Sequence, residues 1–193
     1  MTEVPSANEE APLSEDRLYR LYLGGDAQAG DELMLRLGDA LTAYLDAFLH
    51  NAEDAEDLML DCFAVLLVKK PRIQEGHFLP YLYKMARYKA NRLWRNRFRH
   101  QEFELDEDLP SRSASPEDEV WKGERNAILR KCLNRIAPQY REALYLYYDM
   151  GMSYAEAAES MGGSVKKVED LLRNGKKRLR TELEKEGITH ADI

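Results

Sequence analysis

Along this chain apolar side chains recur at steps of three and four, the period that lines one face of an α-helix. Leu18, Leu21 and Tyr22 define such a face in a first segment that begins near Ser14 and closes at Gly24-Gly25, a pair suited to a helix C-cap. A second helix is expected over 28–50, where Leu33, Leu37, Leu41, Tyr44, Leu45 and Phe48 form one wide apolar stripe. The third, "AEDAEDLMLDCFAVLLVKKP", opens with acids where the helix dipole favours them, ends in Lys69-Lys70 and is stopped by Pro71. A fourth runs from Phe78 to Arg99, with Leu82, Met85, Ala86, Ala90 and Leu93 turned inward.

The pattern then breaks. Residues 101–120 carry eight acids against the single Arg112, with two Pro and three Ser, the composition of a flexible acidic linker. Periodicity resumes over 121–136 through Ile128, Leu129, Cys132, Leu133 and Ile136, and Pro138 opens a helix that closes at Gly151. Ser153 and Glu156 form a capping box for a short helix to Met161, and after Gly162-Gly163, Ser164 caps a last helix containing Val165, Val168, Leu171, Leu172 and Leu179. The expected fold is all-α: an N-terminal helical bundle over 14–100, the linker, and a four-helix domain over 121–186, with tails at 1–13 and 187–193.

Composition agrees, with 33% charged residues and few Gly or Pro for 193 positions. Cys62 and Cys132 lie in apolar helical contexts without a neighbouring metal-ligand pattern, so both read as reduced core thiols and no metal or cofactor is expected. No apolar run reaches the length of a membrane span, and the acidic start is unlike a signal peptide, which implies a cytoplasmic protein without membrane insertion. Four scattered His residues and no Gly-rich phosphate loop leave nothing to carry catalysis, so an enzyme is the least favoured class.

Charge is the informative property. The chain has a net charge of −7, yet "YLYKMARYKANRLWRNRFRH" (81–100) holds seven Lys or Arg and no acid. Asp54, Asp57 and Asp61 form an acidic stripe on the preceding helix, equally consistent with a solvated face or a contact surface. Near the C-terminus a short helix, a Gly turn and a second helix make a helix-turn-helix pattern, and 166–180 supplies seven cations against Glu169 and Asp170. Such clusters are what phosphate neutralisation needs.

"LNRIAPQYREALYLYYDMGMSYAEAAESMGGSVKKVEDLLRNGKKRLRTEL" resembles the promoter-recognising C-terminal domain of extracytoplasmic-function (ECF) bacterial sigma factors of the sigma-70 family. Leu133, Pro138, Arg141, Glu142, Gly151, Ser153, Tyr154, Glu156, Ala158, Ser164, Val165, Val168, Arg178, Leu179 and Arg180 match its pattern. "DAEDL" with Asp61 and Phe63, and Tyr81 to Arg87 with Arg95, resemble the same family's core-binding and start-proximal promoter domain.

The resemblance implies a factor that binds RNA polymerase core and directs promoter recognition, DNA melting and transcription initiation. Asp54, Asp57, Leu58 and Asp61 would meet the polymerase. Tyr83, Lys84, Arg87, Tyr88, Asn91, Arg92, Trp94 and Arg95 would hold the start-proximal element, cations on phosphates and aromatic or polar groups on unstacked bases. Ser164, Lys166, Lys167, Arg173, Lys176 and Lys177 would hold the upstream element. An anti-sigma protein covering these surfaces is implied by the family alone. Trp94 and Tyr83 serve equally well as core side chains, and sequence leaves both readings open.

Two departures stand out. Tyr88 and Arg92 replace the usual Asn and Asp of the basic helix, and Glu169, Asp170 and Leu171 replace basic or small polar residues of the recognition helix. The competing readings are a stand-alone helix-turn-helix regulator and a degenerate sigma-like helical adaptor without productive DNA binding.

Overall fold

In the computed structural model, which describes residues 12–101 and 123–188, every regular element is helical. The expected acidic linker lies almost wholly outside these residues, as do most of the two tails. Four helices make the first half: α1 (Glu15–Leu23), α2 (Ala27–Leu49), α3 (Ala52–Ala64) and α4 (Phe78–Gln101). Four make the second: α5 (Gly123–Arg135), α6 (Pro138–Leu144), α7 (Tyr154–Met161) and α8 (Val165–Lys185).

Local chemistry sets the boundaries. Ser14, Asp26 and Asn51 cap α1, α2 and α3 by accepting backbone N–H bonds, each such cap contributing about 1 kcal/mol. Two helices depart from the continuous α geometry expected from periodicity. After Ala64 and after Leu144 the chain widens into single π-helical turns, Val65–Lys69 and Tyr145–Asp149. Tyr22 Oη donates to the Leu67 carbonyl in the first of these at 2.7 Å. Gly30 permits this approach, because a Cβ there would stand 2.6 Å from the Tyr22 ring.

α2 is the spine of the first half, in contact with α1, α3 and α4. Leu33, Leu37, Leu41, Tyr44 and Leu45 are buried together with Cys62 and Phe63 of α3, Leu66, and Phe78, Leu82, Ala86 and Ala90 of α4. Each fully buried Leu or Phe stabilises the fold by about 1.5–3 kcal/mol relative to exposure. Both cysteines are buried free thiols, and burial pushes the Cys62 thiol up to about 12, the property of an inert core residue.

In the second half, α8 packs on α5, α6 and α7 through Val168, Leu171, Leu172 and Leu183. The capping box is present, with Ser153 N–H donating to Glu156 at 2.7 Å. Gly162, at φ 62°, ends α7 in the left-handed conformation and turns the chain into Ser164, the cap of α8.

Sequence presents the halves as separate units. In the structure they meet: α4 lies along α7, and one buried cluster runs from Leu18 through Ala86 to Ile136, Leu146 and Leu172. Polar bonds cross the same seam. Tyr145 Oη donates to the Ala40 carbonyl at 2.6 Å, Arg141 Nη1 to the Ala47 carbonyl at 2.5 Å, and His77 Nδ1 stands 2.6 Å from a Glu159 carboxylate oxygen.

Candidate polymerase and nucleic-acid surfaces

α4 divides its polar residues between two faces. Lys84, Tyr88, Arg92 and Arg95 are exposed and Asn91 partly so. At 3.6 residues per turn these five fall within an arc of about 100°. They form one cationic stripe with an aromatic ring, and Tyr88 is 63% exposed at its middle. Trp94 is 53% exposed on the adjoining flank, so it is not a core residue here.

Tyr83 and Arg87 face elsewhere. Tyr83 is 0% exposed, packs edge-on against Tyr44 with ring centroids 5.0 Å apart, and donates to Met150 Sδ at 2.9 Å. It is a core side chain in this packing, and a base has no access to its ring. Arg87 stands 2.8 Å from the Glu142 carboxylate of α6 and donates to the Met161 carbonyl at the end of α7. Its guanidinium is therefore engaged by the second half, while the side chain stays 35% exposed.

Glu142 is the centre of that engagement. Its side chain is 2% exposed, and it accepts a hydrogen bond from Tyr44 Oη at 2.9 Å besides pairing with Arg87. Burial pushes its carboxyl above the ordinary range, opposed by Arg87 and Tyr44, and burial together with the nearby carboxylate pushes the Tyr44 phenol well up. Sequence reasoning identified Arg141 and Glu142 only as pattern matches. The available signal was a charged pair inside the otherwise apolar run "YREALYLYY", because charges in such a run are buried only when partnered.

On α3, Asp57 and Asp61 are exposed while Asp54 and Leu58 are partly buried. Asp61 pairs with Lys89 of α4, which ties the acidic stripe to the basic helix. α3 and α4, which carry the stripe and the cations, thus pack side by side in one bundle.

α8 presents a simpler surface. Its buried residues lie on one side, and Ser164, Lys166, Lys167, Arg173, Lys176 and Lys177 are all exposed. Asp170 sits among these cations and accepts from Arg173, so part of the positive field is neutralised in place. Lys176 Nζ stands 5.1 Å over the Tyr148 ring, and Tyr147 bridges Tyr148 to Tyr154 by an edge contact and a stack. An open cleft of about 330 Å³ lies at the start of α8, lined by Tyr140, Ser164, Lys166, Lys167 and Asn174 among others. This is a helix-turn-helix whose second helix offers an exposed cationic side.

Among the described residues no group of His, Cys, Asp or Glu is arranged to hold a metal, and no helix is long and apolar enough to cross a membrane.

Comparison with known proteins agrees with this geometry. Residues 126–179, α5 through most of α8, match the family Sigma-70, region 4. The RNA polymerase sigma factor NccH of Alcaligenes xylosoxydans xylosoxydans is 30% identical over 178 residues, 87% of this chain and 94% of that protein. The ECF RNA polymerase sigma factor SigE of Mycolicibacterium smegmatis is 27% identical over 158 residues, covering 80% of this chain and 62% of that protein. The chain belongs to the ECF group of sigma-70 family sigma factors. In fold, this sigma factor is similar to the RpoE sigma factor of Bartonella quintana in its co-crystal with the anti-sigma factor NepR, at a TM-score of 0.63 and 22% identity, covering 80% of this chain and 96% of that one. The family is not a catalytic one.

Proposed function

We propose that this sigma factor uses three surfaces in one initiation complex. The α3 stripe of Asp54, Asp57, Leu58 and Asp61 docks on RNA polymerase core, its exposed carboxylates steering a basic partner surface. The α4 stripe of Lys84, Tyr88, Asn91, Arg92 and Arg95, flanked by Trp94, holds the start-proximal promoter element as the strands part, and Tyr83 and Arg87 join it once the second half withdraws. The α8 face of Ser164, Lys166, Lys167, Arg173, Lys176 and Lys177 holds the upstream element in the duplex.

The two segments, 14–100 and 121–186, act as separate grips on one promoter, and the chain works in the cytoplasm where polymerase and DNA are. Strand separation costs about 1.4 kcal/mol per base-pair step, which contacts to the displaced strand must offset. Two weak grips joined through polymerase act at high effective concentration, so neither needs high affinity alone. A regulator of the anti-sigma kind would silence the factor by covering these faces.

The observation that carries this reading is the pair of exposed cationic helix faces, on α4 and on α8, within one chain that aligns with a sigma factor over 87% of its length. In vitro transcription with purified polymerase core on a genomic fragment library tests it. Wild-type protein is expected to add discrete transcripts, and Arg87→Ala/Arg95→Ala to lose them. Core alone yielding the same transcripts would remove the proposal. A stand-alone regulator would instead bind duplex DNA tightly and sequence-specifically without polymerase, and an adaptor would bind polymerase without adding transcripts.

A further inference from the structure

α8 carries its outermost side chains in a narrow row. Lys166, Asp170, Arg173 and Lys177 fall within an arc of about 60° at 3.6 residues per turn, opposite the buried Val168, Leu171, Leu172 and Gly175. Asp170 stands inside this row and accepts a hydrogen bond from Arg173 Nη2, three residues further on. The two side chains are 45% and 74% exposed, so the pair is held out toward whatever the helix meets. We propose that this pair sets the base preference of α8: Asp170 orients Arg173 to read a guanine in the major groove of the upstream promoter element. This rests on the role given above to the α8 face.

The donor geometry of Arg173 carries the choice of base. Nη2 bears two hydrogens, and whichever of them Asp170 takes, the other still lies parallel to a hydrogen on a neighbouring guanidinium nitrogen. A two-pronged donor edge therefore remains. In the major groove guanine offers two acceptors side by side, O6 and N7, whereas adenine sets an amino donor beside its N7 and the pyrimidines lack the acceptor pair. An arginine already held in one orientation also loses less freedom when it docks.

Charge supplies a second argument. A free guanidinium between Lys166 and Lys177 is drawn to any phosphate, and phosphate contacts carry no sequence information. The Asp170 carboxylate cancels that attraction and repels the backbone, yet leaves the donor edge of Arg173 in place. The pair lowers general affinity and raises discrimination. An exposed ion pair of this spacing adds little to helix stability, so the fold gives no reason for a carboxylate in a cationic row. Position agrees as well: both residues lie in the first half of α8, the part of a second helix that meets base edges, and their side chains lean toward its N-terminus.

The test uses the full chain with polymerase core. The stretch upstream of the start-proximal element in a promoter that responds to wild type is randomised, and the transcribed templates are sequenced. Wild type is expected to favour guanine at one position by about tenfold. Arg173→Lys keeps the charge but not the two-pronged edge, and should lose that preference while other positions keep theirs. Asp170→Ala removes charge and acceptor together, so it should tighten binding to every template and cut the guanine preference several-fold; Asp170→Asn should do the same by less. Replacing that guanine with 7-deazaguanine, which lacks N7, should weaken the response to wild type and leave the response to Arg173→Lys unmoved.

A guanine preference that survives Arg173→Lys, or that Asp170→Ala leaves at full strength, would overturn the pairing. So would selection by wild type without a guanine position, or a cytosine preference that depends on Asp170 and not on Arg173. If wild type adds no transcript, or selects no base in this stretch, the promoter-holding role of α8 falls together with the pair; base selection that wild type and all three variants share removes the pair alone.

Discussion

α4 and α8 are both long cationic helices, yet the fold treats their charge in opposite ways. α8 buries one side, Val168, Leu171, Leu172 and Leu183, and leaves its cations in water. α4 is packed on two sides, by α1 to α3 and by α7, so its polar residues are sorted into an exposed stripe and an engaged set. A count of Lys and Arg cannot distinguish these cases. What separates them is the number of neighbours each helix must satisfy.

Packing gives the largest expected contrast. Leu82, fully buried in α4, should lose about 3 kcal/mol of stability on substitution by Ala, while Leu179→Ala on the partly exposed flank of α8 should lose about half of that or less. Urea unfolding of both variants measures this; equal losses would mean that α4 is no more enclosed than α8.

Next come the cations themselves. In promoter binding with polymerase core, Arg92→Ala and Lys177→Ala should each reduce the slope of log affinity against log salt by about one. Arg173→Ala should reduce it by less, because Asp170 already partners that guanidinium, and Asp170→Asn should strengthen binding. A salt slope unmoved by Arg92→Ala would detach the α4 stripe from the DNA.

A smaller effect concerns how α8 is launched. Ser164 accepts from the Lys167 N–H, and Ser164→Ala should lower stability by about 1 kcal/mol in thermal unfolding. No loss would show that the turn after Gly162 sets α8 without its cap.

The smallest is a pH effect at the seam. Burial and the nearby Arg141 hold the His50 imidazole below its ordinary value of 6.5, with Asp46 opposing, so the unfolded chain takes up the proton first. The stability due to neutral His50 is therefore complete above about pH 6.5 and falls as the pH drops below that value toward the lowered native pKa. His50→Asn, which tolerates the left-handed backbone at φ 51°, should flatten this part of the stability profile. An unchanged slope in that variant would place the titration elsewhere.

Much of this was legible from sequence for local reasons. Ser153, Glu156, Gly162 and Ser164 act on hydrogen bonds within five residues, so their roles were read without tertiary knowledge, and the helices they bound are where the pattern places them. The π-helical turns were not legible. Both adjust the helix to neighbours: Tyr22 bonds into the first, and Tyr145 of the second reaches across to α2.

By itself, then, the sequence determined eight amphipathic helices, the caps of the helix-turn-helix, the two cationic segments and the family to which they belong, because these depend on periodicity and near-neighbour chemistry. Only the tertiary structure decided that Tyr83 is core, that Trp94 is surface, and that Arg87 is held by a buried Glu142 55 positions away in the chain. Helical period tells which residues share a face, but not what that face will meet; burial and ion pairing are properties of contacts between elements, and for α4 those contacts come from the other half of the protein.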